Sequence, residues 1–200
     1  MLKIGLKLMF LFAITSFALS QEAKIDQKAP EFTLQDYTGM DVILSDYSGK
    51  IIVLEWINFD CPYVQKHYQS GNIPKMQEEY TKKGVIWLSI CSSAPGKQGN
   101  LPAGEIRKRI KGHNAKMTFY LIDSEGKVGK MYGAKTTPHF FIINKDGVLV
   151  YAGGIDDKPS TDAEDIKTAR NYVREALDSL LVGSNPPVKT TKPYGCSVKY

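Results

Sequence analysis

The chain has 200 residues, 42% of them hydrophobic, with three cysteines and a formal charge of +5. That suits one globular domain with a sizeable core. Residues 1–20 carry Lys3 and Lys7 and no acids, so the charge without them is +3, and no lysine or arginine block is present. Nucleic acid is excluded as a partner on that ground.

In chain order, residues 1–20 read as a secretory signal. Lys3 and Lys7 give a basic start, residues 8–19 a short apolar stretch, and Ala18 and Ser20 small side chains for cleavage before Gln21. The apolar run is short for a membrane span, and no cysteine follows closely enough for a lipid anchor. The mature protein is therefore expected in a periplasm or outside the cell, free of the membrane, where disulfides persist. Residues 26–183 are expected to form the domain, and residues 184–200 a proline-rich tail carrying Cys196.

Residues 32–36 and 41–45 read as a short hairpin about the turn-like Tyr37-Thr38-Gly39. From Ile51 an apolar run, broken only by Glu55, reads as a strand buried on both faces. Asp60 is a good N-cap residue and Pro62 is tolerated in a first turn, so this strand delivers Cys61 to the start of a helix over residues 62–69. Backbone N–H groups and the helix dipole favour a thiolate there.

Residues 70–74 read as a breaker, followed by a second helix over 75–83. A strand over 85–90 leads to Cys91, then a polar loop and a helix near 103–111. A strand at 118–122 precedes a short helix at 127–132, ended by Gly133. Strands at 139–144 and 148–152 flank Lys145-Asp146-Gly147, a hairpin signal. Residues 162–181 have helical spacing at Ile166, Ala169, Val173, Leu177 and Leu180. The alternation predicts an α/β fold. In the tail, Pro186, Pro187 and Pro193 favour an extended conformation. Thirteen residues lead from Gly183 to Cys196. At about 3.1 Å each they span on the order of 40 Å, against a domain radius of gyration of roughly 16 Å. Cys196 thus reaches Cys61 in its own chain or in a neighbour.

Cys61-Pro62-Tyr63-Val64 at a strand-to-helix corner resembles the thioredoxin Cys-x-x-Cys site, with Val64 replacing the second cysteine. Thr136-Thr137-Pro138 before a strand resembles the cis-proline segment that thioredoxin-like proteins set against the active cysteine. The likeness runs over about residues 29–181. Together with the terminal Gly195-Cys196 it resembles the peroxiredoxin-like branch of the redoxins (alkyl hydroperoxide reductase/thiol-specific antioxidant). This resemblance implies a thioredoxin-like three-layer sandwich with an N-terminal hairpin and an extended C-terminal tail. It also implies a cis bond before Pro138 and site roles for Cys61, Thr137 and Pro138.

A thiol that forms a mixed disulfide or sulfenic acid is usually released by a second thiol. Val64 cannot supply one, so Cys196 on a mobile tail is the expected resolving cysteine and Cys91 the alternative. The family tends to carry Asn where Cys91 stands. Glu55, interrupting a buried strand, is expected to have a raised pKa. It lies six residues before Cys61, the offset of the buried acid of thioredoxin, and by resemblance shuttles a proton to or from the thiols.

His67 and His139 are not expected to hold a metal with Cys61. Cys61 and His67, six apart on one helix, lie on different faces. Copper-carrying redoxin relatives use two cysteines with a histidine, and the second local cysteine is missing. His67, beside Lys66, reads as a solvated helix residue, and His139 as a packing or hydrogen-bonding one. No metal and no cofactor is expected.

The leading reading is a periplasmic or secreted thiol–disulfide oxidoreductase. It would act on protein or small-molecule thiols and disulfides and be served by a reducing partner. A thiol-dependent peroxidase is the alternative. Against it, Leu54 and Asn58 stand where peroxiredoxins place Pro and Thr or Ser. Arg107, Arg109, Arg170 and Arg174, the only arginines, lie outside the segments expected to bind peroxide. A third reading is a non-enzymatic module that binds a partner or copper, with a Cys61–Cys196 bridge clamping the tail.

Overall fold

The structure, a computed structural model, describes residues 22–200, and the expected signal over residues 1–20 lies outside the described residues. A hairpin of β1 (Thr33–Asp36) and β2 (Asp41–Ile43) precedes β3 (Ile52–Trp56), α1 (Pro62–Gln69), α2 (Asn72–Lys82) and β4 (Ile86–Cys91). Then come α3 (Ala103–Gly112), β5 (Phe119–Ile122), α4 (Lys127–Tyr132) and the short β6 (Thr136–Thr137). A second hairpin of β7 (His139–Ile143) and β8 (Leu149–Gly153), helix α5 (Tyr172–Leu181) and β9 (Cys196–Ser197) complete the chain.

Seven strands make one sheet in the order β2-β1-β5-β4-β3-β7-β8, while β6 and β9 pair apart from it. β3, β4 and β5 are parallel, as helical crossovers allow, and β7 closes antiparallel on β3. Successive residues of β3 point to opposite faces. Val53, with Trp87 of β4 and Phe140 of β7, meets a helical layer that includes Tyr68, Met76 and Val173. Leu54 and Trp56 meet Val128 and Tyr132 of α4 and Phe32 of the N-terminal segment. Helices, sheet and α4 are the three layers expected.

Local boundaries differ where side chains redirect the backbone. The single helix expected over residues 162–181 is a 3-10 turn (Ala163–Lys167) followed by α5. Asp162 caps the turn by accepting from Glu164 N. Asn171 then restarts the helix by accepting from Arg174 N, and Tyr172 N donates to Ile155 O, tying α5 to the end of the sheet. Helix α2 begins at Asn72, because Pro74 falls in its first turn, where no donor is required; the break is Gly71, at φ 76°.

The tail, expected to be mobile, is docked. Ala152 N donates to Lys189 O (3.0 Å) and Thr191 N to Ala152 O (3.2 Å), so the tail runs beside β8. Glycine at 153 permits this approach: a Cβ there would stand 2.1 Å from Thr191 Oγ1 and 2.8 Å from Thr191 N.

The sheet's aromatic core gives a direct stability prediction. Trp56 is fully buried, lies edge-on to Phe141 at 5.1 Å and donates to Ser92 Oγ at 2.9 Å. Trp56→Ala should cost about 3–5 kcal/mol in urea unfolding. Val182→Ala, at a position 79% exposed, should change stability by less than about 0.5 kcal/mol. A Trp56→Ala cost near that of Val182→Ala would contradict this packing.

Candidate active site

Cys61 is itself the N-cap of α1, with extended backbone (φ −79°, ψ 124°) and Pro62 in the first turn behind it. Asp60, the expected cap, does not fill that place. Asn58 Oδ1 accepts from Asp60 N (3.0 Å) and Asn58 O from Cys61 N (3.0 Å), a turn that leaves the cap position to Cys61 while the helix starts at Pro62 as expected. The Asp60 carboxylate instead meets the Arg109 guanidinium of α3 at 2.6 Å. Cys61 is 0% exposed, and its thiol donates to the Thr137 carbonyl at 3.0 Å. The Thr137–Pro138 bond is cis.

The tail ends on the same spot. β9 pairs antiparallel with β6, setting Cys196 opposite Thr137. The Cys196 thiol neighbours that of Cys61. Burial first, and then this neighbour, push Cys196 up to about 11, so it is protonated at neutral pH. All three cysteines are free thiols in this structure. Gly195, at φ 138°, lies against Thr137: a Cβ there would stand 2.1 Å from Thr137 O and 2.7 Å from Thr137 C. Only glycine passes at that distance.

One residue earlier, the phenol of Tyr194 is held by Asp156, which the sequence does not single out, and by His67. Its O–H donates to Asp156 Oδ1 at 2.5 Å, and its oxygen lies 3.1 Å from His67 Nε2. His67 is therefore not a solvated helix residue. It is fully buried, as Lys66 nearly is, because the tail and the Asp156 loop cover that face of α1. Burial, and then the Lys66 charge, hold His67 down at about 3, so its ring is neutral.

Glu55 is also fully buried. It accepts from Trp87 Nε1 (2.7 Å), Ser89 Oγ (2.7 Å), Tyr68 O–H (2.9 Å) and Gln77 Nε2 (3.2 Å). Burial raises its pKa, and these donors act against that rise. None of its hydrogen bonds leads to a cysteine. Cys91 directs its thiol to Ser93 Oγ and Gly99 O, each at 3.4 Å, and not to Cys61 or Cys196. His139 accepts from Lys135 N (3.3 Å) and packs on Phe141. Among the described residues no three His, Cys, Asp or Glu side chains gather as they would around a metal.

Comparison with known proteins identifies the family. The family model described as the AhpC/TSA family matches residues 25–152. The thiol-disulfide oxidoreductase ResA of Bacillus cereus is 25% identical over 134 residues, covering 67% of this chain and 72% of the relative. Probable glutathione peroxidase 5 of Arabidopsis thaliana is 22% identical over 171 residues, covering 76% and 96%. The crystal structure of an uncharacterized conserved protein from Geobacillus kaustophilus superposes with a TM-score of 0.75 at 28% identity, covering 88% of this chain and 92% of that one.

The raised Cys196 makes tail docking dependent on pH. Docking favours the protonated thiol, so this contribution is complete below the thiol's ordinary 9.0 and is lost as pH rises through about 11. In melts of the reduced protein, the Tm difference between the native chain and Cys196→Ser should shrink across that window. A difference that stays constant from pH 8 to 11.5 would contradict the docked thiol pair.

Proposed function

We propose, from the premise that this chain belongs to the AhpC/TSA family, that Cys61 and Cys196 are the reversible dithiol of its redox chemistry. The chain is an oxidoreductase of the thiol–disulfide class with a thioredoxin-like fold. The observation that carries the proposal is the register of β9 on β6, with Cys196 opposite Thr137 and its thiol against Cys61.

The chemistry follows from that arrangement. Cys61 attacks a substrate disulfide R–S–S–R′, forming a mixed disulfide with R and releasing R′–S⁻, which takes up a proton. Cys196, losing its proton, attacks Cys61 Sγ, expels R–S⁻ and leaves a Cys61–Cys196 disulfide. An external dithiol then restores both thiols. Thr137 O orients the Cys61 thiol, Pro138 carries the turn that presents that carbonyl, and the place of Cys61 at the N-terminus of α1 favours its thiolate. Glu55 acts as a positioning residue: through Tyr68 it fixes the helix that carries Cys61. Residues 1–20 support a periplasmic or secreted setting for residues 26–183 and their tail, where a reducing partner supplies electrons. Among the described residues no helix is long and apolar enough to cross a membrane.

Peroxidase action is less well supported, although a peroxidase stands among the relatives. The Asn58 amide is directed at Gln98 and at Asp60 N, and Arg109 is shared between Asp60 and Glu105. Neither is free to polarise a peroxide. Disulfide reduction coupled to a dithiol should fall by about 100-fold or more in Cys61→Ser and by at least about tenfold in Cys196→Ser. Cys91→Ser should stay near native. Full turnover in Cys196→Ser, or loss in Cys91→Ser alone, would overturn the assignment, and hydroperoxide turnover exceeding disulfide turnover would favour the peroxidase.

A further inference from the structure

Cys61 is sealed, so any substrate that reaches it must take the place of the tail. That makes the tail's footprint informative. Tyr194 enters a pocket built for a hydroxyl. Asn72 Nδ2 donates to His67 Nδ1 (2.9 Å), so the neutral ring carries its proton on Nε2 and donates to the Tyr194 oxygen. The phenol proton goes on to Asp156 Oδ1, which also accepts from Lys158 N at 2.9 Å. The pocket therefore offers one donor and one acceptor, matched to a phenol. The ring lies edge-on to Tyr63 at 5.9 Å, with Lys66 Nζ 5.8 Å from its centroid. Glycine must follow, because of Thr137 O, and the cysteine comes next, against Cys61.

The tail does not satisfy everything it covers. Asp156 Oδ2, 3.9 Å from His67 Nε2, and Thr137 Oγ1 are buried without a hydrogen-bond partner. Unpaired buried polar atoms weaken an occupant's hold. We propose that this groove is a docking site for an extended segment of another polypeptide, in which a tyrosine and a glycine precede the cysteine. The chain's own tail is the tethered competitor. The inference rests on Cys61 as the attacking thiol. It adds a specificity pocket, formed by His67 and Asp156, two residues upstream of the reacting cysteine.

The test uses the full chain. Gly195→Ala forces a Cβ against Thr137 O and should release the tail, seen as faster hydrogen exchange over residues 189–200. The probe is a fluorescent nonapeptide copying residues 192–200 with serine at the cysteine position, so that no disulfide forms. By anisotropy it should bind Gly195→Ala saturably. It should bind the native chain at least about tenfold more weakly, because a tethered tail competes at an effective concentration of about millimolar. Phenylalanine in place of the probe's tyrosine should weaken binding at least about tenfold, since donor and acceptor are then unpaired.

Equal binding of the two peptides would overturn the phenol pocket. No binding to a chain whose tail is released would overturn the groove, and a tail that stays protected in Gly195→Ala would overturn the close approach. As a second measurement, excess probe should speed exchange at residues 189–200 of the native chain, and unchanged exchange at saturation would count against competition. Disulfide exchange by the native chain is assayed separately. Its persistence with no peptide selectivity overturns this inference alone, and its absence with selective binding overturns the reading of the thiols.

Discussion

The backbone at Thr137 is where the parts of this molecule meet. Its carbonyl accepts the Cys61 thiol, its cis bond to Pro138 leads into β7, and its strand pairs with the end of the tail. These contacts come from segments 76 residues upstream and nearly 60 downstream, so each depends on the whole sheet being in register. The pairing β3–β7, which sets Trp56 opposite His139, fixes the height of Cys61 relative to Thr137. Core packing and site geometry are therefore one constraint, because a slip of one residue in β7 would turn every side chain over.

Two buried polar clusters sit on the helical side of the sheet and behave differently. Around Glu55, four donors converge on one carboxylate, and all belong to the sheet and its helices. Such an arrangement rigidifies the core and leaves no orphan. Around Asp156, the phenol comes from the tail, and one carboxylate oxygen is left over. The core cluster is satisfied within itself, whereas the seat of the tail keeps a buried carboxylate oxygen unpaired. That contrast is what the proposed exchange of the tail for another segment draws on.

Much of the site was legible because its signals are local. The apolar run into Cys61-Pro62, the proline at 138 and the glycine before Cys196 each constrain the backbone within a few residues. Helix and strand periods likewise located most elements, and the family resemblance implied their layers. What stayed hidden was long-range. His67 beside Lys66 looks solvated until a tyrosine 127 positions later covers it. Asp60 looks like a cap until Arg109, 49 positions away, claims its carboxylate. Glu55 breaks an apolar run and so reads as buried, but its donors come from 13 to 34 positions away, beyond anything its offset to Cys61 encodes. The tail's prolines indicated extension, and only the Thr191 and Tyr194 contacts show what it is extended along.

The central claim is that the tail's cysteine and the helix-capping cysteine form one reversible bond. The most direct measurement is a disulfide map of the protein equilibrated over a graded thiol buffer, read by mass spectrometry after alkylation. The account predicts a Cys61–Cys196 bond that opens and closes with a midpoint above roughly −300 mV, while Cys91 remains a thiol throughout. A Cys61 that stays free under oxidising buffer, with Cys196 unpaired or joined to Cys91, would contradict it.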